Sequence, residues 1–483
     1  MTIDLLGSAA DMAQAIKRKT ISAVELLELT FAQVDRINPT INAVIWQNRD
    51  GAMEQARACD AYQATGGELP PLHGVPITVK ESFDMAGAPT TWGIPDWRDN
   101  IRPQDSDAVA RYRAAGGVVY GKTNVPLKLV EWQSFNEIYG TTSNPWDTTR
   151  TPGGSSGGSA AALATGMSAL EVGSDIGSSI RNPAHYCGVF GLKPTWNVVS
   201  MQGHKPDGWH CDTDIGAGGP LARTAGDLEL AFNILRGPSR FEASAFGLAL
   251  PADPRTRLSE FRVALMLGDD VAPVDQAYLN CLSNFADNLG RAGAQVDRQN
   301  LPQIDSATHF TVYLKLLGAA LSGGMTQDDV DAVLAMFDNA PDDVKSVGGT
   351  RMSGTAISHR EWLQLDNRRR LARLAFDAFF ENYDLIIAPV CVSAAFPKDE
   401  AGHRAFRRIP VNGKPQLEMK QLFWSGYSGV VGLPSVVGPM DQVGGLPVGY
   451  QAIAGHGRDY TCLAFARAVE REFGGFVAPS ITP

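Results

Sequence analysis

Apolar residues recur along this chain at two spacings, one typical of helices and one of buried strands. Over residues 22–36 they repeat at helical spacing, and Ser22 followed by Glu25 predicts a capping box at the start of that helix. The same pattern predicts further helices over 51–64, 105–117, 274–292 and 357–383, the last with a second capping box, Ser358 with Glu361. Short apolar runs between turn residues predict strands at 72–80, 118–121, 262–267, 294–298, 384–390, 434–438 and 446–454.

Strands and helices alternate along the whole chain, which is typical of an α/β fold with a large sheet core. No repeat of 20–50 residues is visible, and the polar, proline-containing segment 237–260 predicts a surface crossing. The simplest interpretation is one large α/β body.

Composition narrows the class of protein. The chain has 483 residues, of which 44% are hydrophobic and 19% charged, so it can bury a large core and is not disordered. Its net charge of −10 argues against nucleic acid or anionic lipid as a main partner, because phosphate binding needs a positive field.

Six cysteines occur singly, with no C-x-x-C pair, which predicts neither a zinc framework nor a disulfide scaffold. The N-terminus lacks a secretory signal, and no apolar run approaches the length of a membrane span. We therefore expect a cytoplasmic enzyme with no membrane partner.

One stretch, residues 151–192, is rich in glycine, serine and alanine and holds almost no charge. It contains neither a phosphate-binding G-x-x-x-x-G-K-[ST] loop nor a G-x-G-x-x-G turn. Apolar residues interrupt it at core-like intervals, which argues against a flexible linker. Such a costly loop is explained by close backbone approach to a substrate, with serines placed for nucleophilic attack.

This stretch and its flanks resemble the amidase signature family. The matching segments, in chain order, are GVPITVK (74–80), GKTNVP (121–126), TTSNPWD (141–147), GGSSGG (153–158), DIGSSIR (175–181), GVFGLKPT (188–195) and GPLART (219–224). The resemblance implies the amidase-signature fold, a large mixed β-sheet covered on both faces by helices. It also implies a single domain over 1–483, with a signature core at 5–240, a variable substrate-facing region at 241–383, and C-terminal strands and a helix at 384–483.

By the same resemblance, Ser179 is the nucleophile, Ser155 the bridging serine and Lys80 the base. Ser179 directly precedes the Ile-Arg pair, four residues after Asp175 and 24 after Ser155, as the family pattern requires. The competing nucleophile, Ser178, stands where the family usually has glycine. The resemblance further implies a cis peptide bond between Gly154 and Ser155.

The chemistry agrees with this trio. A serine hydroxyl must lose a proton as it attacks, and none of the eight histidines resembles a motif partner. A lysine accepts that proton only if burial keeps it neutral, and Lys80 ends an apolar strand.

Two further predictions concern residues 175–181, which we call the nucleophile loop. The backbone N–H groups of Ile176, Gly177, Ser178 and Ser179 are expected to form the oxyanion hole. Asp175 and Arg181 are expected to support the loop as a buried charged pair. We expect Ser178 to adopt an ordinary α or β conformation, because serine is strained at positive φ.

Weaker signals concern the pocket and its rim. Residues expected near the substrate are Val130, Trp132, Gly154, Trp209 and Trp424, with core packing as an equal alternative for the tryptophans. His204, His210, Cys211 and Asp212 crowd one segment, but their spacing fits no standard metal site, so we expect a rim loop and no metal. The run 368–370, three arginines, predicts a solvated helix face with ion pairs.

The sequence therefore predicts a hydrolase that cleaves a carbon–nitrogen amide bond of a small molecule through an acyl-enzyme, without a cofactor, as a monomer or homodimer. Aryl amides, esters and carbamates present a similar carbonyl and stay open as substrates. One alternative is the glutaminase-type A subunit of a glutamyl-tRNA amidotransferase, which works with partner chains. Another is a non-catalytic family member that acts as a binding scaffold.

Overall fold

A computed structural model describes residues 3–481 of the chain. The helices are α1 (Ala9–Lys17), α2 (Ala23–Ile41), α3 (Arg49–Ala64), α4 (Asp107–Ala114), α5 (Gly157–Ala164), α6 (Arg181–Cys187), α7 (Ala225–Leu235), α8 (Gln276–Arg291), α9 (Ser306–Leu321), α10 (Gln327–Ala335), α11 (Asp342–Val344), α12 (Thr350–Ser353), α13 (His359–Phe379), α14 (Leu422–Gly429) and α15 (Asp459–Phe473). A π-helical turn, Lys345–Gly349, joins α11 to α12.

The strands are β1 (Val44–Gln47), β2 (Pro76–Lys80), β3 (Val118–Thr123), β4 (Phe135–Asn136), β5 (Gly140–Thr141), β6 (Glu171–Asp175), β7 (Phe190–Lys193), β8 (Ala217–Ala222), β9 (Arg262–Leu265), β10 (Gln295–Asp297), β11 (Leu385–Ala388), β12 (Arg408–Val411), β13 (Lys414–Leu417), β14 (Ser435–Val443) and β15 (Leu446–Ile453). Every strand predicted from the sequence is present, with bounds that differ by a few residues.

Eight strands form one mixed sheet in the order β10-β9-β11-β15-β14-β7-β8-β6. The β10–β9 and β9–β11 pairs are parallel, whereas the pairs from β11 to β6 are antiparallel. Helices flank this sheet, so the predicted α/β fold with a large mixed sheet is confirmed. A second sheet, β1-β3-β2, carries Lys80 at the end of β2.

Both helices for which a capping box was predicted start at the expected serine, but only one of them has the full capping box. The Ser22 hydroxyl accepts the Glu25 N–H, and the Glu25 carboxylate accepts the Ser22 N–H in return. Ser358 also caps its helix, yet the Glu361 carboxylate binds Lys315 Nζ at 2.8 Å and leaves the box half formed. The ion pair with α9 replaces the local hydrogen bond.

The hydrophobic core is one connected cluster that reaches from Ala9 in α1 to Val469 in α15. This cluster includes residues of the three predicted segments, 5–240, 241–383 and 384–483. The division of a single domain over 1–483 into these segments stays a prediction. The crossing predicted at 237–260 contains no helix or strand before a short 3₁₀ turn at Leu258–Glu260. None of the helices described between residues 3 and 481 is both long and apolar enough to cross a membrane.

Candidate active site

Lys80 is held at the end of a fully buried strand. In β2 it pairs with Thr123 of β3, and its side chain is 0% exposed. Its Nζ lies 2.7 Å from Ser155 Oγ and 2.9 Å from Ser174 Oγ. The amine is therefore anchored by two hydroxyls in a site closed to solvent.

Ser155 belongs to a glycine-rich loop that lies against other backbone. A Cβ atom on Gly154 would collide with the Glu131 carbonyl oxygen, so only glycine allows this approach. The Gly154 N–H donates to Asn182 Oδ1 at 3.2 Å, and the peptide bond from Gly154 to Ser155 is cis. The loop leads into α5 and presents the Ser155 hydroxyl to Lys80.

Ser179 lies on the loop between β6 and α6, beside the Ser155 loop. The two loops are joined by a hydrogen bond of 3.1 Å from the Ser156 N–H to the Ser179 carbonyl oxygen. Ser179 is 5% exposed, against 1% for Ser155 and 0% for Lys80. Of the three predicted catalytic side chains, the proposed nucleophile is thus the most accessible.

Asp175 and Arg181 form an ion pair, and the Asp175 carboxylate accepts backbone N–H groups of this loop. Asp175 Oδ1 accepts the Ser178 N–H at 2.9 Å, and Oδ2 accepts the Ile180 N–H at 3.1 Å. Arg181 pairs with both carboxylate oxygens and also donates to Gln451 Oε1 at 2.8 Å. The ion pair therefore fixes the loop to β15 through buried contacts.

Burial disfavours the charged forms of both Lys80 and Asp175, but only Asp175 has an ion-pair partner that outweighs it. It lowers the pKa of Lys80 to about 7, although the negative charges of Asp175, Glu171 and Glu81 oppose the shift. Burial would raise the pKa of Asp175, but the charge and hydrogen bonds of Arg181 outweigh it and lower that pKa to about 2. Near neutral pH, a substantial fraction of Lys80 is an uncharged base beside an ionised Asp175.

The structure corrects two predictions about Ser178. Its φ is +76°, in the left-handed region, where we expected an ordinary conformation. Its N–H already donates to Asp175, so it is not free for an oxyanion. No residue between 3 and 481 accepts the N–H of Ile176, Gly177 or Ser179, and these three remain as candidate donors.

The five predicted pocket residues differ in their contacts. Trp132 Nε1 donates to the Gly177 carbonyl oxygen at 2.7 Å, which places its buried indole against the candidate oxyanion loop. The carbonyl of Val130 accepts a hydrogen bond from Arg404, and Gly154 lies in the Ser155 loop. The other two tryptophans have different partners.

Trp424 is fully buried and donates to the Ala272 carbonyl oxygen at 3.1 Å, so it anchors α14 in the core. Trp209 is 37% exposed, and its indole packs beside Gly323. Neither contact places these two side chains at the nucleophile loop.

The histidine segment forms no metal cluster. Within residues 3–481 no group of three His, Cys, Asp or Glu side chains is close enough to hold an ion. His204 is buried and shares a hydrogen bond of 2.9 Å with Ser82 Oγ, whereas Cys211 is exposed and Asp212 pairs with Lys205.

The ion pairs predicted for the arginines of α13 are present, but the predicted solvation is wrong for Arg369. That residue is 9% exposed and forms ion pairs with Asp214 at 2.8 Å and with Asp366. Arg370 stays exposed and binds the other oxygen of Asp366 at 2.9 Å. The two carboxylates compensate the charge that Arg369 buries.

Sequence reasoning missed three side chains that complete the site. Ser174 binds the lysine, Asn182 binds the Gly154 N–H, and Tyr313 OH donates to the Ile176 carbonyl oxygen at 2.9 Å. Ser174 and Asn182 flank the motif residues directly and were within reach of the pattern. Tyr313 comes from α9, in the variable region, where no motif pointed to it.

A family model and individual proteins of known sequence both match this chain, and the matches agree with one another. The family model described as Amidase matches residues 25–463. An indoleacetamide hydrolase of Bradyrhizobium diazoefficiens is 32% identical, over 97% of this chain and 86% of the relative. The A subunit of the glutamyl-tRNA(Gln) amidotransferase of Carboxydothermus hydrogenoformans is 29% identical, over 96% of each chain.

A solved bacterial aryl acylamidase of the amidase signature enzymes shares the fold. It superposes with a TM-score of 0.81 at 24% identity, covering 97% of this chain and 96% of its own. Because the family model matches most of the chain, the protein belongs to the amidase signature family, whose enzymes act on carbon–nitrogen amide bonds.

Proposed function

We propose that this protein hydrolyses a small-molecule amide through an acyl-enzyme on Ser179, with Ser155 as proton relay and Lys80 as base. The observation that carries the proposal is the 2.7 Å contact between Lys80 Nζ and Ser155 Oγ in a closed site. Burial lowers the pKa of that lysine to about 7, so it is able to accept a proton near neutral pH.

The proton follows one path in both half-reactions. Ser179 Oγ attacks the amide carbonyl, its proton passes to Ser155 Oγ, and the Ser155 proton passes to Lys80 Nζ. The path reverses as the carbon–nitrogen bond breaks, so the leaving amine receives a proton from Ser155. Water then attacks the ester, releases the acid and restores Ser179 and the neutral lysine.

The tetrahedral intermediate carries a negative oxygen that needs fixed donors. The N–H groups of Ile176, Gly177 and Ser179 fill this role in the proposal, since no protein acceptor within residues 3–481 takes them. Two side chains hold the backbone of this loop: Trp132 donates to the Gly177 carbonyl oxygen, and Tyr313 donates to the Ile176 carbonyl oxygen. The loop is therefore rigid before substrate arrives, which lowers the reorganisation cost of the reaction.

A hydrolysis screen with the purified chain alone tests the activity. The panel contains primary aliphatic amides, aryl anilides, carbamates, esters and glutamine, with Ser179→Ala as the control for contaminating hydrolases. We expect amine or ammonia release from one or more amides by the native chain and none by Ser179→Ala. A chain that hydrolyses no member of the panel would contradict the proposal.

The amidotransferase component is the second candidate, because the relative from Carboxydothermus hydrogenoformans is almost as similar to this chain as the indoleacetamide hydrolase. The test is whether ammonia release from glutamine requires added partner chains. Activity of the isolated chain on other amides favours the hydrolase, which we propose acts as a monomer or homodimer in the cytoplasm without a cofactor.

A further inference from the structure

Arg351 carries a buried positive charge for which residues 3–481 supply no ion-pair partner. The residue is 9% exposed, and burial lowers the pKa of its guanidinium to about 10. Its Nε has no acceptor, and no carboxylate within residues 3–481 forms an ion pair with it. Such a charge costs free energy unless something else compensates it.

The neighbouring carboxylates are already taken by two other arginines. Glu418 binds Arg404 and Arg407 at 2.9 Å each, and Glu131 binds Arg407 at 2.7 Å. Three arginines thus lie around two buried carboxylates, neither of which pairs with Arg351, so one positive charge is in excess. Asp399, which is about half exposed, reaches only Arg407, at 3.8 Å.

Arg351, Arg404, Arg407, Glu131 and Glu418 form what we call the arginine cluster. This cluster contacts the nucleophile loop through Trp132. The Arg404 guanidinium lies 5.3 Å from the centre of the Trp132 ring, and that indole donates to Gly177. Arg351 also acts on Tyr313: burial raises the pKa of Tyr313 to about 12, and the Arg351 charge is among those that oppose the shift. Tyr313 in turn donates to Ile176.

Two glycines fix the position of Arg351 relative to that tyrosine. A Cβ atom on Gly318 of α9 would collide with the Arg351 carbonyl oxygen, and one on Gly354 would collide with the Lys315 carbonyl oxygen. The backbones of α9 and the α12 region are therefore in direct contact. Arg351 and Tyr313 are held by one packed unit beside the loop.

We propose that the substrate is an amide that carries a carboxylate, and that Arg351 binds this carboxylate while the amide lies on the loop from Ile176 to Ser179. The proposal rests on the proposed amide hydrolysis. A carboxylate fits a guanidinium by paired hydrogen bonds and supplies the charge that the cluster lacks. Arg351 then determines specificity and takes no part in bond cleavage.

Two pairs of amides test the preference: adipamate against hexanamide, and 4-carboxyphenylacetamide against phenylacetamide. In the native protein we expect kcat/KM to be at least about 10-fold higher for the carboxylated member of one or both pairs. Arg351→Met should lower that value by about 10- to 150-fold, mainly through KM, with the neutral amides within about threefold. Arg351→Lys should recover part of the loss.

Arg368→Met is the matched control, because it removes an exposed arginine from α13. It should leave all four rates unchanged. Arg351→Met should also keep the native melting temperature, since no ion pair within residues 3–481 is broken. A melting temperature that falls by many degrees would identify Arg351 as a structural residue and overturn the proposal.

A binding measurement separates this inference from the proposed function. Calorimetry measures the binding of adipamate to three proteins: the native chain, Ser179→Ala, and the double variant with both Ser179→Ala and Arg351→Met. Hydrolysis of neutral and carboxylated amides at equal rates, unaffected by Arg351→Met, overturns the carboxylate site and leaves the hydrolase standing. Binding that depends on Arg351 without any hydrolysis rejects the hydrolase and keeps the site. If adipamate does not bind and no carboxylated amide is preferred, the inference is overturned.

Discussion

Asp175 and Arg181 form a two-point ion pair that is closed to solvent. Arg181 Nη2 lies 2.9 Å from Asp175 Oδ1, and Nε lies 3.0 Å from Oδ2, with both side chains 0% exposed. The same carboxylate accepts the N–H groups of Ser178 and Ile180. The pair thus controls the shape of the loop that presents Ser179.

Arg181→Gln should therefore cost both stability and activity. Removing one partner of a buried ion pair leaves an uncompensated charge, which costs about 3–5 kcal/mol of unfolding free energy. The control Arg298→Gln breaks an exposed pair with Asp287 and should cost less than about 1 kcal/mol. Denaturant unfolding of both variants measures the difference, and equal losses would contradict it.

The contribution of Asp175 to the unfolding free energy should decrease as the pH falls. Its folded pKa of about 2 lies below the value of about 3.9 expected in the unfolded chain. The stabilisation is therefore present above about pH 4 and is lost as the pH falls toward 2. Compared over this range, the unfolding free energies of the native chain and Arg181→Gln should converge. A constant difference would show that the carboxylate is not ionised in the native fold.

The serine register is tested by two alanine variants and a serine-directed phosphonate. Ser179→Ala should lower kcat by at least about 10³-fold, because the nucleophile is lost, and it should abolish labelling. Ser178→Ala should keep substantial activity and take one label, at Ser179, since the Ser178 side chain is fully buried. Peptide mapping of the labelled protein locates the adduct. An exchange of the two phenotypes would shift the nucleophile by one residue.

Ser178→Gly should stabilise the protein by up to about 1 kcal/mol. Serine at φ +76° is strained and its Oγ lacks a partner within residues 3–481, whereas glycine adopts this conformation freely. Ser156→Gly is the control: its buried Oγ also lacks such a partner, but its φ of −97° is ordinary. That variant should lose stability through the larger entropy of the unfolded chain. Equal effects in thermal unfolding would contradict the strain.

The helices and strands that hydrophobic spacing predicts, and the motif positions, are predictable because their signals are local. Hydrophobic spacing depends on the period of one element, and the segments around Lys80, Ser155 and Ser179 stand in a recognisable order. The bounds differ by a few residues, since end positions depend on contacts that the pattern does not contain. Glu361, for example, binds Lys315 in place of its own helix cap.

Most of the missed features depend on side-chain contacts that the local sequence pattern does not contain. The N–H of Ser178 is bound by Asp175 while the preceding carbonyl is bound by Trp132, and no propensity contains that pair of contacts. Arg369 is buried because Asp214 reaches it from a loop 155 residues away. Arg351 lies in a region without a motif, and the role proposed for it rests on the lack of an ion-pair partner within residues 3–481.

Lys80 allows the most direct test of the proposed chemistry, because its pKa of about 7 gives kcat/KM a defined pH dependence. Only the neutral amine accepts the serine proton, so kcat/KM should rise with pH through about 7 and then level off. The histidines near the site do not account for such a limb, since burial lowers the pKa of His185 to about 4 and of His204 to about 3.

Lys80→Met should remove turnover at every pH and keep the fold, because an uncharged apolar chain of similar length suits a buried site. Lys122→Met is the matched control: this lysine is equally buried and lies in the neighbouring strand, but it binds Pro89 and Thr90 instead of Ser155. It should retain activity and the limb near pH 7. The measurement is the pH profile of kcat/KM for the three proteins, with circular dichroism to verify folding. A folded Lys80→Met protein with near-native activity would mean that the serine proton goes to another group, and the proposed trio would have to be abandoned.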